Sequence, residues 1–158
     1  MVESGDLLRL SRNTAFAGVA GAVALTALAA PLIAACHPMV ALLLRGFFSR
    51  VCDQNPARSF VLYGMPVAVC VRCLGIYCGV AVGAAFAPLL RVGEIAVRRI
   101  FLSAIVLSLL DAGGEALGVH GNLPLPRFCL GALLGIASGV LLAGSTPPVP
   151  STTLPRES

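Results

Sequence analysis

Charge-free stretches, rather than a repeating apolar face, set the pattern of this chain. Residues 14–36 are 23 consecutive positions without Asp, Glu, Lys or Arg. At 1.5 Å per residue such a helix crosses a hydrocarbon core of about 30 Å. The apolar run exceeds the 7–15 residues typical of a signal peptide, which favours an uncleaved first span. A second run, residues 65–90, carries one charge, Arg72, near its start. The third, residues 100–119, is interrupted by Asp111 and Glu115, and the fourth, residues 128–144, is charge-free. The pattern predicts an all-α polytopic membrane protein of about four transmembrane helices. It has a cytoplasmic segment 1–13, a transmembrane domain 14–144 with an outer loop 37–64, and a tail 145–158. Pro147, Pro148, Pro150 and Pro155 predict that the tail is disordered. Within the outer loop, residues 40–48 are apolar enough to lie in the interface as a short helix or to extend the first span.

Composition agrees with a lipid environment. Of 158 residues, 58% are hydrophobic and 11% charged, against roughly 25% charged in soluble domains. All 11 basic residues are arginine. The net charge of +4 does not point to nucleic acid, because the arginines are scattered singly or as one pair. They serve instead as topology markers. With the N-terminus inside, Arg9, Arg12, Arg91, Arg98, Arg99 and Arg156 fall on the inner side, and Arg45, Arg50 and Arg58 on the outer. The positive-inside rule then places both termini in the cytoplasm of a multi-pass inner-membrane protein. Arg72 and Arg127, at the outer ends of spans two and four, narrow that margin if counted.

Glycines mark two helix faces. Gly75, Gly79 and Gly83 recur every four residues in the second span, and Gly131, Gly135 and Gly139 do so in the fourth. This spacing lines small residues along one side, where neighbouring backbones approach closely. The two sets are offset by 56 positions, as are Cys73-Leu74-Gly75 and Cys129-Leu130-Gly131. A duplicated two-span hairpin would produce this offset, as would chance in a chain so rich in Gly and Leu. Glycine-lined faces also suit a homo-oligomer or a partner in a membrane complex. Asp111 and Glu115 share one face of the third span, in reach of Arg72 or Arg127. Such pairs either fix helix register or form a proton or substrate site.

The remaining chemistry is in the cysteines. Cys70 and Cys73 form a C-x-x-C at the outer mouth of the second span, and Cys52 lies 18 residues earlier in the loop. A C-x-x-C brings two thiols to one side of a helical turn, which suits two ligands of one metal or one redox disulfide. Cys36, Cys78 and Cys129 are expected to pack as small apolar side chains. No G-x-S-x-G, H-E-x-x-H or G-x-x-x-x-G-K-[ST] sequence is present, which argues against hydrolase and nucleotide chemistry. His37 and His120 are too far apart in sequence to suggest a dyad.

Cys52-Asp53-Gln54, Pro56, Arg58-Ser59-Phe60, Pro66 and Cys70-x-Arg72-Cys73-x-Gly75-Ile76-Tyr77-x-Gly79, followed by Asp111 and Arg127-x3-Gly131-x3-Gly135, resemble the signature of domain-of-unknown-function family 2085. These are small predicted membrane proteins of bacteria and archaea, and the resemblance covers residues 52–142. It implies a metal site combining a Cys-His pair with the C-x-x-C, but its usual Cys-His-Gln reads Cys52-Asp53-Gln54 here. The expected site is zinc held by Cys52, Cys70 and Cys73, with Asp53 or His37 as fourth ligand. Arg72, between two ligands, would ease the thiolate charge. Two alternatives stand beside it. One is a quinone-linked thiol-disulfide oxidoreductase acting through Cys70, Cys73 and Arg72, for which the loop between spans three and four lacks the customary second cysteine pair. The other is a structural or accessory subunit with a disulfide from Cys52 to Cys70 or Cys73.

Overall fold

The computed structural model describes residues 4–89, 93–118, 121 and 123–144. Its helices are α1 (Ser4–Cys36), α2 (Pro38–Phe48), α3 (Val71–Phe86), α4 (Glu94–Ala116) and α5 (Pro124–Gly144). A 3-10 turn at Pro56–Arg58 and a hairpin of β1 (Val61–Leu62) and β2 (Met65–Pro66) precede α3. The expected tail 145–158 lies outside the described residues, as do Arg91 and His120.

The second helix is shorter than the run that predicted it. The apolar stretch begins at residue 65, yet Met65 and Pro66 belong to β2, paired antiparallel with Val61 and Leu62. Tyr63 and Gly64, both with positive φ (53° and 77°), make the turn, a backbone that two-residue hairpins favour. Val67, Ala68 and Val69 are fully buried but not helical. Hydropathy registers burial, and a short buried apolar segment reads alike whether extended or helical. The loop 37–64 in turn holds α2, a separate helix broken from α1 at His37 and started by Pro38 at its first turn.

Among the described residues two helices, α1 from Ser11 onward and α5, are long and apolar enough to cross a membrane. At 16 residues α3 reaches only about 24 Å, and α4 carries Glu94, Arg98, Arg99, Asp111 and Glu115.

Packing order across the bundle is α4, α5, α3, α1, with α2 against α1. Small residues face inward. Ala24, Ala27 and Ala30 of α1 are buried while Val19, Leu25 and Leu32 are exposed. In α4 the buried positions are Val97 and Ala104, while Leu102, Val106, Leu109 and Leu110 are exposed. Large apolar side chains outside and small ones inside suit a lipid surround, where helix contact comes from close packing instead of water exclusion.

The closest approach is between α3 and α5, which run parallel. A Cβ on Gly75 would overlap the carbonyl oxygen of Phe128, one on Gly79 that of Ala132, and one on Gly83 that of Ile136. Reciprocally, Gly131 faces the backbone of Arg72, Gly135 that of Ile76, and a Cβ on Gly139 would lie 2.6 Å from Val80 O. Each contact has a counterpart shifted by 56 residues, so the two helices pack as a pseudo-two-fold pair.

α1 runs antiparallel to α3. Pro31 has no N–H, so the carbonyl four residues earlier, Ala27 O, loses its helical donor; Ala68 N–H donates to it at 3.3 Å. At the opposite end the Arg12 guanidinium donates to Ala143 O (3.4 Å), satisfying a carbonyl in the last turn of α5.

Candidate metal centre and adjoining charged cavity

Three local structures deliver three thiols to one place. Cys52 follows the C-terminal turn of α2, its N–H donating to Phe48 O at 2.9 Å. Cys70 is the N-cap residue of α3, in extended conformation (φ −69°, ψ 159°), and Cys73 lies in the first turn. The Cys52, Cys70 and Cys73 sulfurs all lie within 4.8 Å of one another. Tetrahedral zinc with Zn–S of about 2.3 Å needs sulfurs about 3.8 Å apart, so this group closes on an ion with small side-chain movements. None of the three is in a disulfide.

The surroundings prepare one of these thiols, that of Cys52, for this. Cys52 Sγ accepts the backbone N–H of Cys70 at 3.1 Å and that of Gln54. Hydrogen bonds from the Cys70 and Cys73 thiols, joined by these two amides, hold the Cys52 thiol well below its ordinary pKa against the opposing effect of burial. Gln54 reaches its donor position with a left-handed backbone (φ 51°). Its side-chain amide donates to Arg45 O at 2.7 Å, and the Arg45 guanidinium donates to Pro66 O. The end of α2, the Cys52 loop and the hairpin are thereby tied together. An apolar shell of Ala27, Phe48, Ala68, Val69 and Leu74 encloses the thiols, with Tyr77 and Phe128 packed against it. Such a shell limits water access to a metal site.

Five charges converge beside the thiols. Arg72 pairs with Asp111. Arg127 reaches Asp111 at 3.2 Å and Glu115 at 2.5 Å, and Arg58, from the 3-10 turn, reaches Glu115 at 3.1 Å. The Arg127 side chain is 4% exposed and that of Arg58 44%. A cavity of about 200 Å³ opens among them, lined by the three arginines, Glu115, Ala112 and Ala116, with Cys70 in its wall. Cys70 therefore belongs both to the thiol group and to the cavity.

Other residues singled out in the sequence have different surroundings. Asp53 and His37 are both exposed, and neither joins the thiol group. Ser59 Oγ donates to Asn55 O at 3.0 Å, a loop contact next to Arg58. Cys36 and Cys129 are exposed, not packed inside as expected. Cys129 lies two residues from both Arg127 and Gly131, the buried side of α5, and so faces outward from the bundle. Cys78 is half-buried. The Arg58–Glu115 pair, with no helical spacing to signal it, depends on how the loop folds. The i, i+4 spacing of Asp111 and Glu115 did signal a shared acidic face.

No solved structure matches the chain. An uncharacterised protein of Methanocaldococcus jannaschii is 30% identical over 99 residues, covering 61% of this chain and 64% of that protein; the match thus spans less than two thirds of the relative's length. The model of the family described as predicted membrane protein (DUF2085) matches residues 52–141, a stretch holding the three clustered thiols, all five charges of the cavity and both glycine faces. The chain belongs to that family of predicted membrane proteins.

Proposed function

We propose that this protein is a four-span inner-membrane protein that holds a zinc ion at the outer end of its helical bundle on Cys52, Cys70 and Cys73. The observation that carries the reading is the convergence of three thiols from two separate chain segments to within 4.8 Å. One of them is already favoured as thiolate by its hydrogen bonds. Sulfur ligands in a tetrahedral arrangement suit zinc. The fourth position is taken by water or by Asp53, which adjoins Cys52 in the loop; His37 is the more distant candidate along the chain. When bound, zinc supplies a fixed positive charge that pins the loop to the start of α3. The protein's own residues shape its surroundings: Gln54 and Cys70 donate backbone N–H groups to sulfur, and the apolar shell limits water.

The four-span topology is supported by α3 lying parallel along the glycine face of α5, a helix long enough to cross, and by the apolar exterior of α4. Arginine distribution supports both termini inside. The thiol-oxidoreductase reading draws on Cys70 opening onto a cavity lined by arginine, since a nearby guanidinium favours a reactive thiolate. Metal analysis of full-length protein extracted anaerobically in mild detergent, paired with thiol alkylation, tests the proposal. The expected result is one zinc per chain, with three thiols protected until a chelator is added. No stoichiometric metal together with three freely alkylated thiols overturns it, and a recovered disulfide points to the redox or structural reading instead.

A further inference from the structure

The cavity beside the thiols has a composition that zinc binding does not explain. Arg58 comes from the loop, Arg72 from α3 and Arg127 from α5, so three guanidinium groups reach one space from three directions. Paired with the Asp111 and Glu115 carboxylates, they leave these five side chains with a formal charge of +1. Among the described residues, Arg72 Nε is buried with no hydrogen-bond partner, and Arg72 lines the cavity. An excess positive charge beside an apolar bundle is unfavourable unless something compensates it. The free volume, about 200 Å³, exceeds the roughly 150 Å³ that admits a benzene-sized molecule.

We propose that this cavity binds a tetrahedral oxyanion of the phosphate class, held by Arg58, Arg72 and Arg127 against the wall formed by Cys70. Guanidinium groups match phosphate oxygens with paired N–H donors, and approach from three sides suits a tetrahedral group better than a planar carboxylate. Asp111 and Glu115 align the guanidinium groups and keep the net charge small, so the anion is held without being trapped. The phosphate can be free in solution or be presented by a lipid headgroup, because the cavity lies at one end of the bundle.

The cavity reading stands apart from the metal reading. Cys52→Ser removes one thiol while leaving every cavity-lining residue in the sequence unchanged, and is expected to lose zinc while keeping the anion. The full chain, extracted in a maltoside detergent that carries no phosphate, is titrated with inorganic phosphate by calorimetry. In parallel, it is reconstituted in nanodiscs of phosphatidylcholine with added phosphatidylglycerol and assayed for lipid retained after detergent exchange. Saturable phosphate binding in detergent supports the site with a soluble source, and selective phospholipid retention supports it with a lipid source. In whichever arm binds, Arg58→Gln weakens binding about tenfold or more, as expected for one charge-assisted contact. Ala112→Leu, which fills the cavity and leaves every charge in place, abolishes it. Binding in neither arm, or binding indifferent to both substitutions in protein that remains folded, overturns the proposal.

Discussion

Cys52 Sγ accepts the Cys70 backbone N–H at 3.1 Å and lies within 4.8 Å of the Cys70 and Cys73 sulfurs, a setting that an ordinary buried cysteine does not need. Replacing Cys52, Cys70 or Cys73 singly with Ser is therefore expected to remove most bound metal. Cys36, Cys78 and Cys129, which lie outside the thiol group, are expected to tolerate Ala with metal content unchanged; equal loss across both sets would show that the metal is adventitious. In the charged cluster, Asp111 lies between Arg72 and Arg127, whereas Arg58 is 44% exposed at the rim. Asp111→Asn leaves two guanidinium groups short of an anion and is expected to lower the melting temperature in detergent by several degrees. Arg58→Gln should lower it little, as exposed ion pairs contribute about 0–1 kcal/mol. Similar shifts for the two would mean that burial does not govern this network. The C-x-x-C was legible in the sequence because i and i+3 share a helical turn. The partnership of Cys52 was not, since an 18-residue loop fixes no geometry by spacing and only the family resemblance joined it to the pair.

Among the elements, the α3–α5 pair is the least tolerant of added volume. Gly79→Ala would drive a methyl group into Ala132 O and to 2.9 Å from Ile136 N, backbone atoms that move only if the helices separate. Overpacking of this kind costs about 1–3 kcal/mol, whereas Gly18 in α1 has open space around it, and Gly18→Ala should be neutral or stabilising by up to about 1 kcal/mol. Unfolding of the two variants in denaturant, compared with wild type, checks this; a neutral Gly79→Ala would contradict the close approach. These glycine rows were legible because their spacing matches the helical period. The start of α3 was not. Residues 67–69 are buried without forming a helix because the hairpin feeds them under α1, where Ala68 donates to the carbonyl freed by Pro31. That tertiary contact leaves no periodic trace.

At the scale of the whole molecule, the four-span account requires the hairpin and the start of α4 to lie on opposite sides of the membrane. Tyr63, 84% exposed at the hairpin turn, and Glu94, exposed at the start of α4, are suited to reporting this when each is replaced by Cys in a background whose exposed cysteines are Ala. In intact cells an impermeant maleimide is expected to label Tyr63→Cys and to reach Glu94→Cys only after permeabilisation. Labelling of both from one side would mean that α3 and α4 do not cross. All of this geometry ends at the three thiols, where the loop, the start of α3 and the cavity meet. The most direct test of the metal centre is titration of metal-free, reduced protein with cobalt(II), read by absorbance. Saturation at one ion per chain is predicted, with intense thiolate-to-cobalt charge transfer, tetrahedral visible bands and displacement by zinc. Octahedral, thiolate-free spectra from protein with all three thiols reduced would contradict it.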